Sequence, residues 1–152
     1  MTTDQVSLRE RFRGYVELFG EDRPFITRAE ERRLLEQGIA QFALGADEVR
    51  GILVNVAGRN SIRLERDIDR RMVAILARYG GKRKKISKAR FNEAAVLYND
   101  FANGIFTPEE AKIKVKQLMQ NNRFRAKRGL TLTRRWYNKI GKVKVKQPLQ
   151  EV

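Results

Sequence analysis

Residues 107–122 read TPEEAKIKVKQLMQNN. The first four residues are a complete helix start. The Thr107 hydroxyl takes an orphan backbone N–H, and Glu110 reaches back to the Thr107 N–H. Pro108 occupies the first helical position, where its missing N–H costs nothing. Glu109 and Glu110 place negative charge at the positive end of the helix dipole. The residues that follow keep the helical period. Ala111, Val115, Leu118, Met119 and Asn122 share an inward stripe, while Lys112, Lys116 and Gln120 point outward. A second start of the same kind, TRAE at Thr27–Glu30, lies far upstream. Together they set the expected fold class as all-α.

Working outward, Gly104 ends a preceding helix that Ser87 caps and that carries Phe91, Ala94, Ala95, Tyr98 and Phe101 on one side. Before it, Ser61 is positioned to cap IRLERDIDRRMVAILARY, with Leu64, Ile68, Met72, Ile75 and Tyr79 at helical spacing and Gly80–Gly81 as the stop. Asp47 is positioned to cap a helix with Val49, Ile52, Leu53 and Val56 inward. The helix from Thr27 runs to Phe42, with Leu34, Leu35, Ile39 and Phe42 inward and Gly45 closing it. The first helix spans about 8–19, on Leu8, Phe12, Tyr15, Val16 and Phe19. Beyond Asn122 the pattern weakens. Gly129 marks a turn, Thr133 is positioned to cap a short helix RRWYNKI, and KVKVK alternates like an edge strand or stays unpaired. The expectation is a compact bundle of six or seven short helices over 1–122. A basic, partly flexible C-terminal extension follows over 123–152.

One internal echo is visible. YVELFGEDRPFITRAEERRLL and VLYNDFANGIFTPEEAKIKVK share an aromatic helix end, a Gly-containing loop, a Thr cap and an acidic first turn. Recurring capping rules explain it without a duplication.

Charge is segregated along the chain. Residues 1–60 hold nine Arg, no Lys and ten acidic residues, whereas residues 61–152 hold 24 basic and eight acidic residues. From Ala111 to Gln150 there are thirteen basic residues and no carboxylate. GGKRKKISKAR, at 80–90, adds six more cations, again without an acid. Solubility needs charge but not segregation by sign, so the basic half reads as a surface for a polyanion.

The stretch from Leu8 to Val56, with GEDRPFITRAEERRLLEQGIAQF, a Gly-ended turn and ADEVRGIL, resembles the opening of TerB-like (tellurite-resistance-type) helical domains. The resemblance implies a helical scaffold connected with stress and membranes, whose loops can carry metal-binding carboxylates. Here Arg23 and Pro24 stand where an Asp-Gly is expected, which departs from the metal-binding form of the loop.

Several chemistries lack their residues. The chain has no Cys and no His, which removes thiolate nucleophiles, Ser-His-Asp and Cys-His constellations and HExxH sites. YGGKRKK lacks the GxxxxGK[ST] spacing of a phosphate loop, no GxGxxG occurs, and GEDRPFITRAEE puts Arg and Pro at EF-hand ligand positions. The paired carboxylates Glu30–Glu31 and Glu109–Glu110 are accounted for by capping. No catalytic residue, metal site or cofactor is expected, and the protein reads as non-enzymatic.

The expected function is nucleic-acid binding, DNA or RNA, through phosphate contacts. One arm comprises Lys82, Arg83, Lys84, Lys85, Lys88 and Arg90. The other comprises Lys112, Lys116, Arg123, Arg125, Lys127, Arg128, Arg134, Arg135 and Lys139. Tyr137 is the aromatic placed to stack on a base or sugar, while Trp136 falls with Ile140 on a face that suits core packing. A helix-turn-helix arrangement of the helices at 87–122 is a variant, opposed by Glu109 and Glu110 at the recognition helix's start. The alternative is a small helical adaptor whose basic half docks on an acidic protein partner in a larger complex. Attachment to an anionic membrane surface is disfavoured, because no helix pairs a basic face with a Trp/Phe/Leu-rich one. No run is long enough to span a membrane, and the N-terminal residues lack a signal-peptide core, so a cytoplasmic location is expected.

Overall fold

The computed structural model describes residues 2–142. Within them the chain is all-α, with seven helices and four two-residue strands. The helices are α1 (Thr3–Gly20), α2 (Arg28–Phe42), α3 (Ala46–Arg59), α4 (Glu65–Gly80), α5 (Lys88–Phe101), α6 (Pro108–Asn121) and α7 (Arg135–Asn138). The strands are β1 (Phe25–Ile26), β2 (Arg63–Leu64), β3 (Lys85–Ile86) and β4 (Arg125–Ala126). β1 pairs with β2 and β3 with β4, both in parallel. All but the first residue of KVKVK, and the expected flexible end, lie outside the described residues.

The chain divides into two compact units. One comprises Met1–Arg70 with Phe101–Ile105, the other Arg71–Asp100 and the chain from Phe106 onward. In the first unit, Phe12 and Val16 of α1, Leu34 of α2, and Val49, Leu53 and Val56 of α3 form a buried core. Gly38 lets α2 and α3 approach closely: a Cβ there would lie 2.6 Å from Val49 Cγ2. Thr27 makes the expected capping box, with Glu30 N donating to Thr27 Oγ1 at 3.2 Å and Thr27 N donating to Glu30 Oε2 at 2.9 Å. In the second unit Met72, Leu76, Ile86, Phe91, Tyr98 and Met119 are fully buried. Thr107 and Glu110 form the other capping box.

Both units contain the same motif, in a register different from the sequence echo. α1–β1–α2–α3–β2 corresponds to α4–β3–α5–α6–β4. Phe12 matches Met72, Val16 matches Leu76, and all four are buried. Gly20 packs on Ile62, and its counterpart Gly80 packs on Ile86 and Phe124. The return to the second strand repeats bond for bond. Asn60 Nδ2 donates to Val56 O at 3.0 Å, and Asn122 Nδ2 donates to Leu118 O at 2.8 Å. Ser61 and Arg123, next in line, both take positive φ, at 54° and 60°. Ile62 N donates to Ala57 O and Phe124 N to Met119 O, each at 2.9 Å.

Four local expectations change. Ile39 is 45% exposed, because Gly38 beside it takes the close-approach position on α2. Ser61 is a turn residue rather than a cap, since β2 intervenes before α4 starts at Glu65. Asp47 lies in the first turn of α3, whose N-cap is Gly45. Thr133 does not cap α7, because Arg134 holds that position and Thr133 O instead accepts from Gly129 N at 2.8 Å.

The first residue of α4 is a carboxylate that serves α2. Glu65 Oε2 accepts Arg28 N at 2.8 Å, and Asp69 Oδ2 accepts Arg28 Nε at 3.0 Å. Both carboxylates are buried, each 7% exposed. Glu65→Ala removes the acceptor of a part-buried N–H at the start of α2, so the expected cost is that of losing a helix cap, about 0.5–2 kcal/mol, read as a lower urea midpoint at unchanged slope.

Candidate nucleic-acid interface

The basic residues of the second unit fall into a free set and an engaged set. Lys82 and Arg83 lie in a 3₁₀ turn, Gly81–Arg83, after α4. Lys84 follows in the left-handed region at φ 51°. Its Nζ donates to Asn122 O at 3.2 Å and lies 5.1 Å from the Phe124 ring. Lys85 is half-buried on β3, beside Arg125 on β4. Lys88 is exposed in the first turn of α5, which Ser87 caps by accepting from Arg90 N at 3.2 Å. Arg123, Arg125, Lys127, Arg128, Arg134, Arg135 and Lys139 are all exposed. Among the described residues none of these side chains makes an ion pair.

The unit's acids are mostly used locally. Arg90 pairs with Glu93 at 3.1 Å, which raises its guanidinium pKa, and it also covers the Tyr79 ring at 4.6 Å. Lys112 pairs with Glu109 at 3.5 Å, and Glu110 is committed to the Thr107 cap.

Lys116 does not point outward as expected. Its Nζ donates to Tyr137 O at 3.1 Å and Ile140 O at 2.9 Å, and lies 4.7 Å from the Tyr137 ring. Loss of hydration lowers its pKa, with Lys142 adding to the effect. Lys116 is therefore a strut that fastens α7 to α6. With Lys112 paired as well, the outer face required by the helix-turn-helix variant is not free.

Tyr137 is also engaged. Its ring meets Phe91 edge-on at 6.2 Å and Trp136 at 5.7 Å, so a base can stack there only by displacing Lys116. Trp136 packs on Phe91 at 5.5 Å and donates Nε1–H to Lys127 O at 3.0 Å. Phe124 is core, 6% exposed.

Burial raises the Tyr137 phenol above its ordinary value. Since the folded-state pKa is the higher one, its stability contribution is complete below the ordinary phenol value and lost as pH rises through the raised value. Tyr137→Phe should therefore flatten the decline of stability above about pH 10, checked by urea melts at stepped alkaline pH.

One cleft gathers five of the cations that make no ion pair among the described residues. It has a volume of about 420 Å³ and is lined by Arg83, Lys85, Ala126, Lys127, Arg128 and Arg134. Its floor is fixed by strand pairing, Arg125 N to Lys84 O and Lys127 N to Ile86 O, both 2.8 Å. Arg134 is aimed by its own bond, Nε to Ala126 O at 2.8 Å.

Nothing matches this chain among family models, curated proteins or solved structures.

Among the described residues no group of three or more acidic side chains is placed to hold a metal ion, and no helix is long and apolar enough to cross a membrane. The sequence reading missed Phe91 as the seat of both α7 aromatics, since nothing local links positions 91 and 136. It also missed Leu130 and Leu132, at 107% and 76% exposure, on the turn between Lys127–Arg128 and Arg134–Arg135.

Proposed function

We propose that this protein binds nucleic acid without catalysing a reaction, using phosphate contacts from the second unit. The observation that carries the reading is the set of cations without ion pairs at 82–88 and 123–135, all exposed but the half-buried Lys85, in a unit whose acids are mostly committed to local partners. Unpaired, solvated Lys and Arg release counterions from a phosphate backbone at little desolvation cost. The packing of Tyr137 and Trp136 argues for backbone contact over base stacking, and so for weak sequence preference.

Fluorescence anisotropy with nuclease-treated protein and labelled duplex DNA, single-stranded DNA and structured RNA tests this. Binding near physiological salt with a steep log–log salt slope is the expected result, and the preferred polymer assigns DNA or RNA. Loss of binding to all three by physiological salt contradicts the reading.

Docking on an acidic protein has one observation in its favour. Leu130 and Leu132 stand exposed between two pairs of cations, an apolar centre with a basic rim such as protein interfaces use.

A further inference from the structure

The cleft at the β3–β4 pair concentrates more positive charge than a single backbone phosphodiester neutralises. Five of its six lining residues are Lys or Arg, and none is acidic. None of the five makes an ion pair among the described residues. The site is held in shape before any ligand arrives: strand bonds on both sides fix Lys85 and Lys127, Trp136 Nε1 holds Lys127 O at 3.0 Å, and Ala126 O orients Arg134. Arg134 uses only Nε in that bond, which leaves its terminal N–H groups for an anion.

The first unit resolves the same position in the opposite way. There the residue after β2 is Glu65, and with Asp69 it puts two buried carboxylates on Arg28. In the second unit the residue after β4 is Lys127, and Arg28 is matched by Lys88, next to Ser87 as Arg28 is next to Thr27. The second copy has thus exchanged a carboxylate, Glu65, for a cation, Lys127, at the wall of an open cleft.

We infer that this cleft binds a phosphate group carrying two or more negative charges, of the terminal-phosphate or pyrophosphate class. Guanidinium forks suit such a group because they grip it bidentately. Two sources share this chemistry, the 5′-phosphate end of a nucleic-acid strand and a free polyphosphate. The first source rests on the nucleic-acid reading; the cleft itself does not.

Isothermal titration of the full chain with inorganic pyrophosphate tests the cleft. The expected result is one site per chain, weakened at least tenfold in Arg83→Gln/Lys127→Gln and unchanged in Arg11→Gln/Arg32→Gln, which lie in the first unit. Both pairs are exposed, and matching urea midpoints control for folding. A 5′-phosphorylated oligonucleotide that binds tighter than its 5′-hydroxyl twin, with the preference lost in Arg83→Gln/Lys127→Gln, assigns the strand end. Equal affinity of the two oligonucleotides, with pyrophosphate still bound, assigns the free anion. Absence of pyrophosphate binding, or equal weakening by both variant pairs, overturns the inference. If nucleic acid nevertheless binds with a steep salt slope, the functional reading survives that failure. If pyrophosphate binds and no nucleic acid does, the functional reading fails and the cleft stands.

Discussion

Replacing Arg83, Lys85, Lys127 and Arg128 together by Gln is expected to weaken nucleic-acid binding several hundredfold at about 0.15 M salt. Each phosphate contact contributes about 0.9 to the log–log salt slope, which is about fivefold in affinity at that salt, so four contacts give roughly 10³. The slope itself should fall by about 3 to 4. Arg83, Lys127 and Arg128 are exposed and Lys85 is half-buried on a strand edge, so the fold should lose little. The matching control removes the same number of charges from the first unit, at Arg11, Arg32, Arg33 and Arg59, all exposed. Anisotropy across a salt series reads both variants. An equal loss in the two would mean that net charge alone binds the polymer and that the second unit holds no interface.

Phe91→Ala is expected to cost about 3–5 kcal/mol of stability, the usual range for deleting a buried aromatic ring. Phe91 is fully buried, and the rings of Trp136 and Tyr137 both rest on it. The substitution therefore removes core volume and the seat of α7 together. Trp136 is the only tryptophan, so one fluorescence melt in urea reports both effects. The midpoint should fall, and native emission should shift to the red as the indole becomes wetter. Val96→Ala on the same helix is the contrast. Val96 is 63% exposed, and its truncation should change stability by no more than about 0.5 kcal/mol. A midpoint for Phe91→Ala within that smaller range would mean that α7 does not depend on Phe91.

The helices were legible because their signals are local. Thr27 with Glu30, Thr107 with Pro108 and Glu110, and the inward stripes of α3, α5 and α6 are all patterns within a few residues. The parallel strand pairs were not legible, because two-residue strands have no period to detect and their partners lie far apart in sequence. The repeat was hidden for a related reason. Many matched core positions keep burial but not identity, as Phe12 with Met72 and Ile62 with Phe124 show, and the identical pairs Gly20 with Gly80 and Asn60 with Asn122 are too isolated to stand out. The shared Thr caps of α2 and α6 drew attention to the wrong register. For the proposed interface, charge density and segregation singled out the segment in the sequence. Which cations were free depended on contacts over long separations. Lys116 reaches Tyr137 and Ile140 and Lys84 reaches Asn122, whereas the pairs Arg90–Glu93 and Lys112–Glu109 and Arg134's bond to Ala126 lie within reach of local reasoning.

The proposed function requires that the second unit, and not the charge of the chain as a whole, meet the nucleic acid. Amide chemical-shift mapping tests it most directly, using whichever of the three polymers binds tightest. Perturbations concentrated at residues 82–90 and 123–139, with α1 to α3 silent, are the predicted result. Perturbations centred on residues 1–60, or spread evenly over both units, would contradict it.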